Sequence, residues 1–226
     1  MGRHLDSMHK KILESLVSTS GLLVLEAGIG TGRFATWLAK KNFRVVGADI
    51  SKEMLKKAKK KALALNVDVD LVMADLQFLP FRSQLFDSCY CINVIDHIPN
   101  ISKFLNEARY VTKSEGFLIF NFSNLCSPYL PIAFLINLRK RALFSRGRIY
   151  SKWFTFYEID VLLSRAKFSV DKVRGCMIAS PLPFGNKLVR IVRSINLSSG
   201  NSRLRLLSGS IFVKTQPSQK DSAIKC

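Results

Sequence analysis

The chain has 226 residues, of which 35 are lysine or arginine and 16 are aspartate or glutamate, giving a net charge of +19. A hydrophobic share of 48% beside 23% charged residues excludes a disordered chain, and the length suits one core-bearing domain with insertions. So positive a field selects anionic partners (nucleic acid, an acidic membrane surface or an acidic substrate) unless it is a solvated surface and no more.

Met8, Ile12, Leu13, Leu16 and Val17 recur at helical spacing and predict a helix ahead of the first strand. Leu22 to Glu26 reads as strand one and runs directly into a loop with glycine at 28, 30 and 32. The helix after the loop carries Phe34, Trp37 and Leu38 and extends to about Lys41. Strand two is Arg44 to Asp49, and Ser51 is a suitable N-cap for the helix that follows. That helix is expected to bury Met54, Leu55, Ala58, Ala62 and Leu65. Its other side carries Lys52, Lys56, Lys57, Lys59, Lys60 and Lys61, as a solvated face or an anion-binding one.

Val69 to Met73 and Phe86 to Ile92 are strands three and four. Phe104, Leu105, Ala108 and Val111 mark a helix, and Ser114-Glu115-Gly116 turns into strand five, Phe117 to Phe122. Strand and helix alternate throughout, which predicts a parallel sheet with helices on both faces. Phe156 to Ala166 reads as a helix, and Phe168 to Arg174 and Ser210 to Lys214 as closing strands. Residues 1–215 then form one domain with insertions at about 124–154 and 181–207, and 216–226 form a polar tail.

The first insertion is rich in aromatic residues and arginine and reads as a lid over substrate or as a segment lying on a membrane surface. Tyr129, Phe134, Tyr150, Trp153 and Phe156 offer apolar walls, and Arg139, Arg141, Arg146 and Arg148 offer charge for an anionic group. The second insertion places Leu188, Val189, Ile191 and Val192 on a basic helix. The longest apolar stretch, Leu130 to Leu138, is far short of the roughly 20 residues of a membrane span. Five cysteines without a signal peptide suggest reduced thiols in a cytoplasmic protein, and no metal-ligand spacing exists, so no metal is expected.

The glycine loop separates two cofactor chemistries. A dinucleotide fingerprint needs a glycine three residues after its second, and Arg33 stands there. Glu26, immediately before the loop, repels a pyrophosphate and suits an ammonium group. Asp49 ends the next strand about 20 residues after Gly28, the spacing of a carboxylate that accepts from ribose hydroxyls. The ligand so described has a ribose and an amino-acid end and no phosphate.

Glu26-Ala27-Gly28-Ile29-Gly30-Thr31-Gly32 resembles the first motif of class I S-adenosylmethionine-dependent methyltransferases, nearest the small-molecule branch that includes the quinone-biosynthesis enzymes. The resemblance continues through Gly47 to Leu55, Ala74-Asp75-Leu76, Phe81 to Ile92 and Val111 to Phe122, covering roughly residues 20–123. It implies a Rossmann-like, doubly wound α/β fold: a mostly parallel seven-stranded sheet, helices on both faces and an antiparallel closing hairpin. It implies S-adenosyl-L-methionine as cofactor, with the backbone around Ala27, Gly28 and Gly30 along the methionine part and Glu26 near its ammonium. Asp49 would hold the ribose, Ile50 and Met54 would pack on the adenine, and Asp75 would accept from its amino group beside the Leu76 amide. Asp75 as a turn cap and Met54 as a core residue remain open.

After strand four, Asn93 to Pro99 faces the carboxyl end of the sheet, where ligands bind in open parallel sheets. Asn93 is a candidate neighbour of the cofactor. His97 is a candidate general base, with a local structural role as its alternative. The expected reaction is in-line displacement of the methyl group onto a small-molecule acceptor, apolar or anionic. RNA is the second choice of acceptor, and a non-catalytic nucleic-acid-binding module is the rival class. Arg33 and Glu26 weigh against a nicotinamide oxidoreductase.

Overall fold

A computed structural model describes residues 2–17, 22–127, 152–176 and 206–218. Its centre is one seven-stranded sheet in the order β3-β2-β1-β4-β5-β7-β6. The strands are β1 Leu23–Ala27, β2 Arg44–Asp49, β3 Asp70–Met73, β4 Phe86–Cys91, β5 Thr112–Ser123, β6 Phe168–Cys176 and β7 Ser210–Pro217. The first five run parallel, and β7 lies antiparallel between β5 and β6. The expected seven-stranded sheet with a closing hairpin is therefore present.

Central strands are covered on both faces, so they read as near-continuous apolar runs. One core packs Leu13 and Leu16 of α1 (Gly2–Leu16) and Leu38 of α2 (Ala35–Ala39) against Val24, Val45 and Ile119. Ala58 of α3 (Lys52–Ala64) joins the same core. The other packs α4 (Ile101–Val111) and α5 (Phe156–Arg165) against Leu25, Cys89, Leu118 and Phe120. Helix starts follow local chemistry. The Asn100 side chain accepts from Lys103 N–H at 3.0 Å, and Thr155 and Glu158 cap α5 reciprocally.

Four expectations change. No helix separates β3 from β4: residues 74–85 cross as an irregular segment. Leu76 and Leu79 are buried under it, Phe81 meets Phe86 edge-on, and the Leu79 N–H donates to Glu107 at 2.8 Å. The two leucines cover the sheet there without a helix. Leu65 is exposed, because α3 stops at Ala64 and only Ala58 and Ala62 of its stripe are buried. Strand β5 begins at Thr112, straight from α4. Its pairing with β4 jumps from Phe86↔Thr112 to Ser88↔Phe117, so 113–116 bulge rather than turn. Strand β7 runs through Pro217, pairing with Phe168, so the first two residues of the expected tail belong to the sheet.

Most of both insertions, including Tyr129, Phe134, Tyr150, the four arginines from 139 to 148 and the 188–192 helix, lies outside the described residues. Their roots are described. Asn124, fully buried, bridges to Phe154 and donates to the Leu206 and Ser208 carbonyls at 2.7 and 2.9 Å. The two insertions thus leave the sheet at one point. No helix among the described residues is long and apolar enough to cross a membrane.

Phe104 is fully buried between α4 and the sheet. Phe104→Ala is expected to cost about 3–5 kcal/mol of stability. Thr155→Ala, which removes a cap and leaves the core intact, costs about 1 kcal/mol. Urea unfolding midpoints measure both.

Candidate functional site

At the carboxyl ends of β1, β2 and β4 the chain encloses a cavity of about 720 Å³, within the usual range for small-molecule sites. Glu26, Gly28, Gly30, Asp49, Ile50, Met54, Asp75, Leu76, Asn93 and His97 all line it. Ala27 does not line it; its side chain is buried in the core behind the loop. Of the expected acceptor walls, Trp153 and Phe156 are described and do not line it either; Phe156 packs against the core under α5.

The loop is built by satisfying the end of β2. The Ala48 carbonyl accepts from Gly28 N–H at 2.8 Å and Ile29 N–H at 3.0 Å. Gly28 has φ +79° and a Cβ there would stand 2.5 Å from the Val94 side chain, so no other residue fits. Gly30 has φ +53°, yet a Cβ would meet nothing within 4 Å. Open space beside a left-handed backbone leaves room for a ligand against the main chain.

Asp49 and Glu26 are carboxyls in different surroundings. Asp49 accepts from Gly30 N–H at 2.8 Å on one oxygen and Ser51 N–H at 2.9 Å on the other. Each oxygen keeps a lone pair for a further donor. Glu26 is 2% exposed, and its Oε2 has no hydrogen-bond partner. Burial pushes its carboxyl up to about 8, against a hydrogen bond from the Ala35 N–H and the charges of Arg33 and Lys61. A buried acceptor without a donor at a cavity wall calls for a cationic or hydrogen-bonding ligand group.

Asp75 does form a turn: it accepts from the Gln77 N–H at 2.9 Å, with the Gln77 amide nitrogen 3.2 Å from both oxygens. It lines the cavity all the same. Ile50 is 70% exposed on the rim and Met54 is half-buried, so both present apolar surface to a planar ligand.

Asn93 sits at φ +60°, its N–H donating to Asn121 Oδ1 at 2.7 Å while Asn121 Nδ2 donates back at 2.9 Å. Its own Nδ2 lies 3.5 Å from Nδ1 of His9, whose ring packs between Phe34 and Phe212. His97 is exposed at the end of a 3-10 turn, Ile95–His97. Asp96 anchors that turn: its carboxylate accepts from Ser123 N–H at 3.0 Å and Ser123 Oγ at 2.6 Å, and its carbonyl accepts from Lys152 N–H at 2.9 Å. Burial raises the Asp96 carboxyl above its ordinary value, and the Ser123 bonds offset part of that. His9, Asp96 and Asn121 were not singled out in the sequence. Only Asn121, a lone amide in the run Phe117 to Phe122, carried a local sign. Cys89 and Cys91 are buried core thiols, pushed up by burial, and no group that could hold a metal is found among the described residues.

A cavity with a ribose-ready carboxylate over a glycine loop, and an orphaned buried carboxyl oxygen beside it, fits a sulfonium nucleoside bearing an ammonium group. Comparison with known proteins agrees. A family model described as a methyltransferase domain matches residues 25–120. Malonyl-[acyl-carrier protein] O-methyltransferase of Hamiltonella defensa is 35% identical over 119 residues, 51% of this chain and 45% of that one. Ubiquinone/menaquinone biosynthesis C-methyltransferase UbiE of Rickettsia massiliae is 36% identical over 116 residues, 47% of each. The match thus spans about half the length of these two relatives. An uncharacterized protein of Methanocaldococcus jannaschii is 30% identical over 196 residues, 81% of this chain and 78% of that one. Among solved structures, magnesium protoporphyrin IX methyltransferase of Synechocystis with bound SAH superposes with a TM-score of 0.65 at 20% identity, covering 96% and 83% of the two chains. At that identity the likeness speaks for the fold. Residues 25–120 thus carry a domain similar to the methyltransferase domain family.

Proposed function

We propose that this protein transfers the methyl group of S-adenosylmethionine to a small organic acceptor held between the 93–99 loop and the roots of the two insertions. The observation that carries the reading is the unpartnered Oε2 of Glu26 at the wall of the same cavity as Asp49. Two of the similar enzymes are named for methylation of a malonyl-acyl-carrier protein and in quinone biosynthesis, which supports an acceptor with an acidic or apolar group.

Bound S-adenosylmethionine supplies an activated methyl group on a charged sulfur that is already a good leaving group. The protein's work is alignment and exclusion of water, worth about 7–11 kcal/mol of barrier in well-oriented reactions. In this reading Glu26 meets the ammonium and Asp49 accepts from the ribose hydroxyls. Ile50 and Met54 would pack on the adenine, and Asp75 would accept from its amino group beside the Leu76 amide. Gly28 and Gly30 let the backbone approach the methionine part, and Ala27 holds the loop from behind. Asn93, fixed by Asn121, borders the reacting end. His97 takes the proton from an acceptor that must lose one, and is dispensable for an acceptor that need not.

Calorimetric titration tests the cofactor assignment: S-adenosylmethionine binds with 1:1 stoichiometry and NAD does not. Asp49→Asn weakens that binding by about 10- to 100-fold, the loss of one or two charge-assisted hydrogen bonds. A folded protein that ignores millimolar S-adenosylmethionine overturns the reading. Glu26 adds a pH dependence with a definite sign. The free carboxyl keeps its proton up to pH about 8. Beside a bound ammonium it is ionised, so binding releases a proton. Affinity therefore rises with pH between about 6 and 7.5, by up to about tenfold per unit. Glu26→Gln removes both the slope and the proton release measured in buffers of different ionisation enthalpy.

A further inference from the structure

A buried amide stands behind the cavity, inside the apolar run Phe117 to Phe122 of β5. Asn121 is 3% exposed, and a primary amide in such a place is costly unless its polar atoms are met. Its Oδ1 accepts from Asn93 N–H at 2.7 Å. Its Nδ2 donates to Asn93 Oδ1 at 2.9 Å and to Ser210 Oγ, at the start of β7, at 3.0 Å. Both donors and the acceptor oxygen are thus used, and two of the three bonds go to one residue 28 positions away.

Asn93 is the residue that needs holding. It leaves β4 at φ +60°, a left-handed conformation that residues bearing a side chain rarely adopt. No glycine stands in Ile92-Asn93-Val94-Ile95 to take that turn unaided. The contact of Asn93 with His9 is longer, Nδ2 to Nδ1 at 3.5 Å, and engages the side chain alone. The turn decides where Val94 goes, and Val94 Cγ2 stands 2.5 Å from the place a Cβ on Gly28 would take. Gly28, Asn93 and Val94 all line the cavity, and Asn121 does not.

We propose that Asn121 is a positioning residue for this cavity, acting through the left-handed turn of Asn93 to hold Val94 against Gly28. Its work is on shape. Without the amide, Asn93 loses the partners of its N–H and its Oδ1, the turn relaxes, and the glycine loop loses the wall that Val94 supplies. The inference rests on the proposed function only in naming the ligand that this shape receives.

The first test is amide hydrogen exchange read residue by residue by NMR, in the wild type and in Asn121→Leu, which keeps the volume and removes the bonds. Exchange at Gly28, Ile29 and Asn93 is expected to quicken about tenfold more than at Leu25 and Val46 in the middle of the sheet; a residue that only stabilises the fold quickens all of these together. The second test is calorimetric titration with S-adenosylmethionine. Asn121→Leu binds it about tenfold more weakly, whereas Thr155→Ala, which lowers stability away from the cavity, binds as the wild type does. Placed beside Asn93→Gly, which takes the left-handed turn without help, Asn121→Leu costs less than about threefold. Should Asn121→Leu fail to fold, Asn121→Ser replaces it with the same expected changes. A wild type that ignores S-adenosylmethionine overturns the proposed function, and exchange at the loop then decides the role of Asn121. Exchange that quickens no more at Gly28, Ile29 and Asn93 than at Leu25 and Val46, or an affinity unchanged in Asn121→Leu, overturns the inference.

Discussion

The site hangs on one carbonyl. Ala48 is the last residue of β2 paired with β1, and its oxygen takes both Gly28 N–H and Ile29 N–H. Those two bonds draw the chain leaving β1 across the end of its neighbour. An open parallel sheet exposes unpaired backbone groups at this edge, and a buried one left unmet costs roughly 1–3 kcal/mol. The loop is therefore the way the edge is completed, and glycine is what permits it. Val94 closes over Gly28 at a distance no side chain tolerates, which ties the loop after β4 to the loop after β1. Gly30 N–H is thereby delivered to Asp49, and the wall between three strand ends becomes one cavity.

Completing the backbone has an electrostatic consequence. Glu26 lies at the end of a central strand with sheet on both sides, so the fold that forms the cavity also strips its carboxyl of water. A single N–H from Ala35 does not replace that water, and the acid holds its proton. Asp49, one strand over at the rim, has a backbone donor on each oxygen. The two carboxyls thus present different demands to one ligand: Oε2 of the first lacks a partner, and the second is already held in position. In the proposed function an ammonium and a ribose diol meet those demands together.

The part of this that could be read in the sequence is the part made by neighbours along the chain. The apolar runs of β1, β2 and β4, the alternate glycines, and the acids at 26 and 49 all follow from spacing within a few residues, and each stands where that spacing put it. Periodicity failed where tertiary packing replaced it. Leu76, Leu79 and Phe81 look like a helix stripe or a loop with equal force, and only contacts with Phe86 and Glu107 make them a crossover without a helix. Leu65 matched its helix's stripe but falls just past the helix end, over no sheet. His9, Asp96 and Asn121 were illegible for a related reason: their partners lie 27 or more residues away in sequence.

That long-range layer divides labour within the molecule. Asp96 grips β5 through Ser123 and the far end of the first insertion through the Lys152 N–H. Asn124, next in line, grips the return of the second insertion at Leu206 and Ser208. The loop that carries His97 is thus fastened to the end of β5 and the far end of the first insertion, while the glycine loop is fastened to β2, Val94 and, through Gly32, to Thr36 of α2. In the proposed function the glycine loop, Asp49 and Glu26 form the cofactor frame, and these are local features of β1 and β2, legible in the sequence; the bonds of Asp96 and Asn124 join segments far apart in the chain and are not.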